Sequence, residues 1–214
     1  MFVKDHMSTR PIVAEVGLPV PEALILMRKE HIRRLPVVDG RGRLVGIVSD
    51  KDLLHASPSP ATTLSVWEVN YLFGRITLKE VMTKKVITVT EDTPLEDAAR
   101  IMADNKIGGL PVVRDGALVG IITETDLFKM FLEMLGARER GMRVTVVVAN
   151  EPGQLAKLTR AIAEGGGNII ALTEFSGTAS SNRRVMVKAT GIKKDELRSL
   201  IAPLVVAIED IREV

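Results

Sequence analysis

"LPVVDGRGRLVGIVSDKDLL", residues 35–54, and "LPVVRDGALVGIITETDLF", residues 110–128, are two renderings of one sentence. The match runs beyond the quoted words. Met7 and Ser8 correspond to Met82 and Thr83, and Leu35 to Leu110, each 75 positions on. Past the turn the spacing becomes 74, with Asp52 matching Asp126, so the second copy is one turn residue shorter. A constant offset that slips only in a turn marks a duplicated structural unit. The two copies account for most of residues 1–135.

Each copy reads as strand, helix, strand, strand, helix. In the second, "VITV" (86–89) is a short strand. Thr93 is the expected N-cap of the helix that follows, with Pro94 at its first position and Glu96 completing a capping box. Leu95, Ala98, Ala99 and Met102 then recur at helical spacing. "LPVV" and "ALVGII" are apolar strands joined across Arg114, Asp115 and Gly116. The last helix opens at Thr123 and stops at Gly136, with Leu127, Met130, Phe131 and Met134 on one side. The connector "ASPSPATTLSVWEVNYLFGRI" begins as a Pro/Ser linker. Its Leu64, Trp67 and Tyr71 could share a helical face, and Trp67 is expected to pack between the copies. One unit of this size is too small for a convincing core, whereas two can bury their apolar faces on each other.

After "GARERGM" (136–142) the pattern changes. "RVTVVV", "NIIALTEF", "RRVMVKAT" and "VVAIEDIREV" read as strands, and "PGQLAKLTRAIAEGGG" and "KKDELRSLI" as helices. The order βαββαβ predicts a ferredoxin-like unit, its helices on one face of an antiparallel sheet. The expected class is therefore α+β. Copy one occupies 1–60, the connector 61–75, copy two 76–135, and a second domain 138–214.

Composition excludes several functions. With no cysteine among 214 residues, disulfides, thiolate metal sites and a cysteine nucleophile are ruled out. The net charge of +2 is near neutral, its basic residues are scattered, and aromatics make only 3%, which argues against a nucleic-acid partner. No apolar run approaches the ~20 residues that span a bilayer, and no signal-peptide pattern opens the chain. The expectation is a cytoplasmic protein with no membrane partner. His6, His31 and His55 lack metal-ligand spacing, and the glycines at 165–167 lack the Lys-Ser/Thr of a phosphate loop, reading instead as a helix end and turn. No pattern nominates a catalytic residue or a metal site, so an enzyme is not expected.

What remains is the end of each repeat, "GIVSDKD" (46–52) and "GIITETD" (120–126). Ser49 and Thr123 stand where a strand turns into a helix, and Asp52 and Asp126 follow three residues later. Helix capping alone accounts for this spacing, because a hydroxyl satisfies free N–H groups and an acid suits the first turn. The same arrangement offers a hydroxyl, N–H groups that attract phosphate, and a carboxylate that accepts two hydrogen bonds from a ribose diol. Spacing does not separate the two.

Taken together, "HMSTRPIV … HIRRLPVV … LVGIVSDKDLL" and "VMTKKVITV … KIGGLPVV … LVGIITETDLF" resemble tandem CBS motifs, the pair called a Bateman module. The resemblance implies clefts for adenosine compounds such as AMP, ADP, ATP or S-adenosylmethionine, held as regulatory ligands rather than as tightly bound cofactors. Carried over by position, Ser49 and Asp52 serve one cleft and Thr123 and Asp126 the other. Adenine would lie against Pro11, Ile12 and the stretch from Arg34 to Pro36 in copy one. In copy two the corresponding places are Val86, Ile87 and the stretch from Gly109 to Pro111. Asp50 and Glu124 add negative charge near the phosphates, to be balanced by Arg33, Arg34, Lys84 or Lys85.

Residues 142–214, through "VVANEPGQLAKLTRAIAEGGGNIIAL", resemble an ACT domain, a module that commonly binds amino acids at a dimer interface. By that resemblance Asn150, Gly153 and Asn168 would form an amino-acid site, although Val148 stands where serine-sensing members carry a histidine. The order CBS–CBS–ACT with its connector resembles the acetoin-utilisation protein B family. The combined expectation is a homodimeric regulatory sensor of an adenine nucleotide, with an ACT domain serving an amino acid or assembly. The alternative is an adaptor whose CBS and ACT domains only assemble. The downstream target is not encoded in any motif.

Overall fold

The computed structural model of the chain describes residues 1–57 and 65–214. Leu64, expected on the connector helix, lies outside them. The chain divides into two compact units, Met1–Leu127 and Phe128–Val214.

In the first unit, copy one supplies β1 (Ala14–Glu15), α1 (Val20–Lys29), β2 (Arg34–Val38), β3 (Leu44–Ser49) and α2 (Asp50–His55). The connector carries α3 (Val66–Phe73), and α4 (Leu78–Val81) opens copy two. Copy two continues with α5 (Leu95–Asn105), β4 (Gly109–Arg114), β5 (Ala117–Thr123) and α6 (Glu124–Met134). The division between units falls within α6. Helices α1 and α5 bury matched stripes, Val20, Ala23 and Met27 in one, Leu95, Ala98 and Met102 in the other, as helical periodicity requires. Asp115 and Gly116 both take positive φ, 50° and 81°, the two-residue hairpin turn that matches strand twist. Copy one spends its extra residue on a looser turn, where Asp39 Oδ1 accepts from the N–H groups of Arg41 and Arg43.

The copies exchange their opening segments. Thr83, at the start of copy two, pairs with Ile47 of β3, and Ser8, at the start of copy one, pairs with Ile121 of β5. Leu78 joins the core of copy one, with Leu35, Val37, Val48 and Leu53. Its repeat equivalent Val3 is fully buried and donates its N–H to Thr93 O of copy two. The glycine of each "VGI" follows from this exchange. A Cβ on Gly46 would run into Met82, and one on Gly120 would come 2.6 Å from Met7 Sδ.

Three sequence expectations change. Thr93 does not cap α5: Pro94 holds the N-cap position without a side-chain bond, and Thr93 Oγ1 instead accepts from Thr90 N at 3.1 Å. Proline's fixed φ already orients the chain for the first turn. The expected strand at 86–89 shrinks to one parallel bridge, Val89 to Val112, since the preceding residues run along the other copy. Trp67 is 86% exposed and so is not packed between the copies.

The second unit contains β6 (Met142–Ala149), α7 (Gln154–Glu164), β7 (Asn168–Ser176), β8 (Asn182–Thr190), α8 (Lys194–Ile201) and β9 (Ala207–Glu213). The sheet runs β7-β8-β6-β9 with every pair antiparallel. Alternate residues Val144, Val146, Val148, Val185 and Val187 pack on Leu158, Ile162, Leu197 and Ile201 of the two helices, the period-two signature of a half-covered sheet. On the other face Lys188 is 4% exposed. Its ammonium donates to Gly136 O at 2.9 Å and to Glu139 O, so the segment after α6 covers this part of the sheet.

Candidate ligand cleft

Ser49 ends β3 and caps α2. Its N–H and its Oγ–H both donate to Asp52 Oδ2, at 2.8 and 2.7 Å, and its Oγ accepts from Asp52 N at 3.2 Å. Thr123 repeats the arrangement at α6, donating to Asp126 Oδ2 from N at 2.9 Å and from Oγ1 at 2.7 Å. The capping account of Ser-x-x-Asp is therefore realised in full in copy one, and copy two shows its carboxylate half. It occupies one carboxylate oxygen; among the described residues Asp52 Oδ1 has no hydrogen-bond donor.

That oxygen belongs to a residue lining a cleft of about 600 Å³ in the first unit. Ser49 and Asp52 contribute from copy one, and Val86, Ile87 and Gly109 from copy two. The segment exchange explains the mixture. Because Thr83 is hydrogen-bonded to Ile47 in both directions, at 2.9 and 3.0 Å, the chain at 83–87 runs beside the end of β3. The lining carries five cations, Arg33, Arg34, Lys51, Lys85 and Lys106, against three acids, Asp50, Asp52 and Glu124. Such an excess favours an anionic guest. Arg34 reaches from β2 to Glu124 at the start of α6, Nη2 to Oε2 3.3 Å.

Six of the expected residues, Arg34, Ser49, Asp52, Val86, Ile87 and Gly109, thus meet around one cleft. Pro36 and Pro111 are buried in β2 and β4 and do not line it. Pro11, Ile12, Thr123 and Asp126 also lie outside it. Lys85 lines the cleft and Lys84 does not. Lys51 and Lys106 were not singled out from sequence. Lys106 ends α5 with φ 53°, and His31, its repeat equivalent, has φ 54°, so the offset of 75 could have drawn attention to it. No group of three or more potential metal ligands occurs among the described residues.

In the second unit a hollow of about 280 Å³ lies at the turn between β6 and α7, lined in part by Val148, Asn150, Gly153, Glu174 and Arg183. Both ends of the Asn150 amide are engaged: Nδ2 donates to Ser180 O at 2.9 Å, and Oδ1 accepts from Arg183 Nε at 3.2 Å. Asn168, at the start of β7, lines a different and more open hollow with Thr159 and Arg160. A single chain does not bring the two asparagines together.

The CBS domain family model matches residues 3–59 and 78–133, more than half the chain. A solved CBS domain pair of protein MJ0100, in complex with 5′-methylthioadenosine and S-adenosyl-L-methionine, is 33% identical. It covers 65% of this chain and 98% of that one, with a TM-score of 0.52. CBSX2 in complex with AMP is 33% identical over 61% of this chain and 96% of that one, TM-score 0.52. A putative acetoin utilization protein from Vibrio cholerae is 34% identical over 64% and 95%, TM-score 0.54. The L-aspartate semialdehyde sulfurtransferase of Methanocaldococcus jannaschii is 35% identical over 131 residues, but this chain spans only 23% of its length. With one family motif in each copy of the repeat, the chain belongs to the CBS domain family.

Proposed function

We propose that this chain is a regulatory protein that binds an adenosine nucleotide in the cleft between its two CBS motifs. The observation that carries the reading is the meeting of Ser49 and Asp52 with Val86, Ile87 and Gly109 around one cation-rich cleft. Asp52 Oδ1 is a free acceptor for a ribose hydroxyl, and the apolar pair Val86 and Ile87 offers a surface for adenine. The adenosine ligands named for the MJ0100 domain pair and for CBSX2 support the choice of ligand class. Repeat symmetry extends the proposal to a second site, with Thr123 and Asp126 opposite Pro11 and Ile12, and with the strand residues Pro36 and Pro111 backing the two positions. No catalytic role is assigned, and the compartment proposed is the cytoplasm.

Thermal shift and calorimetry with AMP, ADP, ATP and S-adenosylmethionine test this. A ligand at about 100 times its dissociation constant adds about 2.7 kcal/mol to native stability, a rise of several degrees at roughly 2–4 °C per kcal/mol for a chain of this size. If no adenosine compound shifts the melting curve or releases heat at millimolar concentration, the reading fails.

We further propose that the second unit is an ACT domain that assembles a homodimer. The βαββαβ order and the open edges of β7 and β9 support it, since edge pairing removes unpaired backbone groups. An amino-acid site would then need Asn150 from one copy and Asn168 from another. The rival reading, an adaptor without ligand, draws on the capping geometry of Ser49 and Thr123, which needs no nucleotide to explain it. Calorimetry decides between the two.

A further inference from the structure

The repeat is broken at one pair of positions in the cleft. Arg33 and Arg34 of copy one stand where copy two has Gly108 and Gly109. The backbone is the same in both, Asp50 N bonding Arg33 O and Glu124 N bonding Gly108 O, each at 3.0 Å. The side chains are complementary instead. A Cβ on Gly108 would collide with Arg34 Nη2 and Glu124 Oε2, and one on Gly109 would lie 2.7 Å from Arg34 Cδ. The two glycines leave the room through which Arg34 crosses to Glu124. Its side chain is only 23% exposed there, whereas that of Glu124 is 65% exposed. The pair is not duplicated: Asp50, the equivalent of Glu124, accepts from its neighbour Lys51 N at 2.9 Å, and Gly109 offers it no guanidinium.

We propose that Glu124 is a specificity-determining residue, whose pairing with Arg34 restrains the cleft's preference for phosphorylated over unphosphorylated adenosine ligands. The inference rests on the reading of the cleft as an adenosine site. A guanidinium engages phosphate through two parallel hydrogen bonds and more strongly than it engages a singly charged carboxylate. An ion pair with one partner exposed contributes little to stability and is readily exchanged. A 5′-phosphate entering the cleft therefore displaces Glu124 from Arg34. The displaced carboxylate stays nearby and repels the phosphate, so the preference is weaker than Arg34 alone would give. An uncharged nucleoside meets neither effect.

The experiment is calorimetry of the full chain with AMP and with adenosine, two probes that differ only in the phosphate. The readout is the ratio of their dissociation constants. Glu124→Gln should raise the preference for AMP about three- to fivefold, the upper scale of one screened charge interaction. Glu124→Ala should act in the same direction and serves if the first variant folds poorly. Arg34→Gln should bring the ratio towards one, and the double variant, freed of the carboxylate's repulsion, should lie between Arg34→Gln and Glu124→Gln. If the wild-type chain binds AMP but neither Glu124 variant moves the ratio by more than about twofold, the inference is overturned and the adenosine reading stands. If neither probe binds the wild-type chain, the adenosine reading fails and the inference falls with it.

Discussion

Asp52 has two roles, as the reciprocal partner of an N-cap and as the proposed ribose acceptor, and its two oxygens separate them. Oδ2 is taken by Ser49, and Oδ1 is left for a ligand. Asp52→Ala removes both functions. The Ser49 Oγ cap on the N–H of residue 52 survives, but Ser49 N–H loses its acceptor, about 1 kcal/mol for one hydrogen bond, so the ligand-free protein should lose roughly that much stability. Losing a charge-assisted hydrogen bond, about 1.5–3 kcal/mol, should also weaken AMP at least tenfold. Asp52→Asn keeps an amide oxygen that accepts from Ser49 N, so the ligand-free midpoint should move less while AMP binding still weakens. Denaturant titration with and without AMP reads both quantities. If Asp52→Ala costs stability and leaves AMP affinity intact, Ser-x-x-Asp is a cap and no more.

At the scale of elements, sequence patterning carried information wherever one chain segment decided its own surroundings. The stripes of α1 and α5, the strands LPVV and LVGI, and the turn at Asp115 and Gly116 are local consequences of periodicity and φ. The exchange of opening segments was hidden, because nothing in "HMST" or "VMTK" says which copy's sheet it will join. For the same reason the cleft mixes Ser49 with Val86, and Arg34 with Gly108, across separations that no local pattern spans. Trp67 misled for a related reason. An aromatic at helical spacing usually faces a core, yet α3 sets it in solvent. It is the only tryptophan, so its fluorescence reports on α3 alone. The emission should be that of a water-exposed indole and should be quenched readily by iodide at low protein concentration. Trp67→Ser should change stability by no more than about 0.5 kcal/mol, as for surface substitutions. A blue-shifted, unquenched signal that persists on dilution would contradict the exposed position.

For the molecule as a whole, duplication and a second unit solve the same problem of burial in two ways. The repeated half completes each core with a segment from its other copy, Leu78 in one and Val3 in the other. The second unit covers one face of its sheet with α7 and α8, and leaves Lys188 to be satisfied on the opposite face by the carbonyls of Gly136 and Glu139. That buried ammonium ties residues 136–139 to the second unit. A fragment starting at residue 138, where the sequence pattern changes, lacks Gly136 and the chain that packs over Ala171 and Lys188. There Lys188 keeps Glu139 O but loses Gly136 O, and a buried charged donor left partly unsatisfied costs on the order of 1–3 kcal/mol. Residues 128–214 should therefore unfold at higher urea than residues 138–214, and Lys188→Met should narrow the gap, because the apolar stem stays while the unsatisfied charge is gone. Light scattering on the longer fragment is then the sound test of assembly by this unit. Equal stability of the two fragments would show that residues 128–137 contribute nothing to the fold of the second unit, and that Lys188 finds its partners without Gly136.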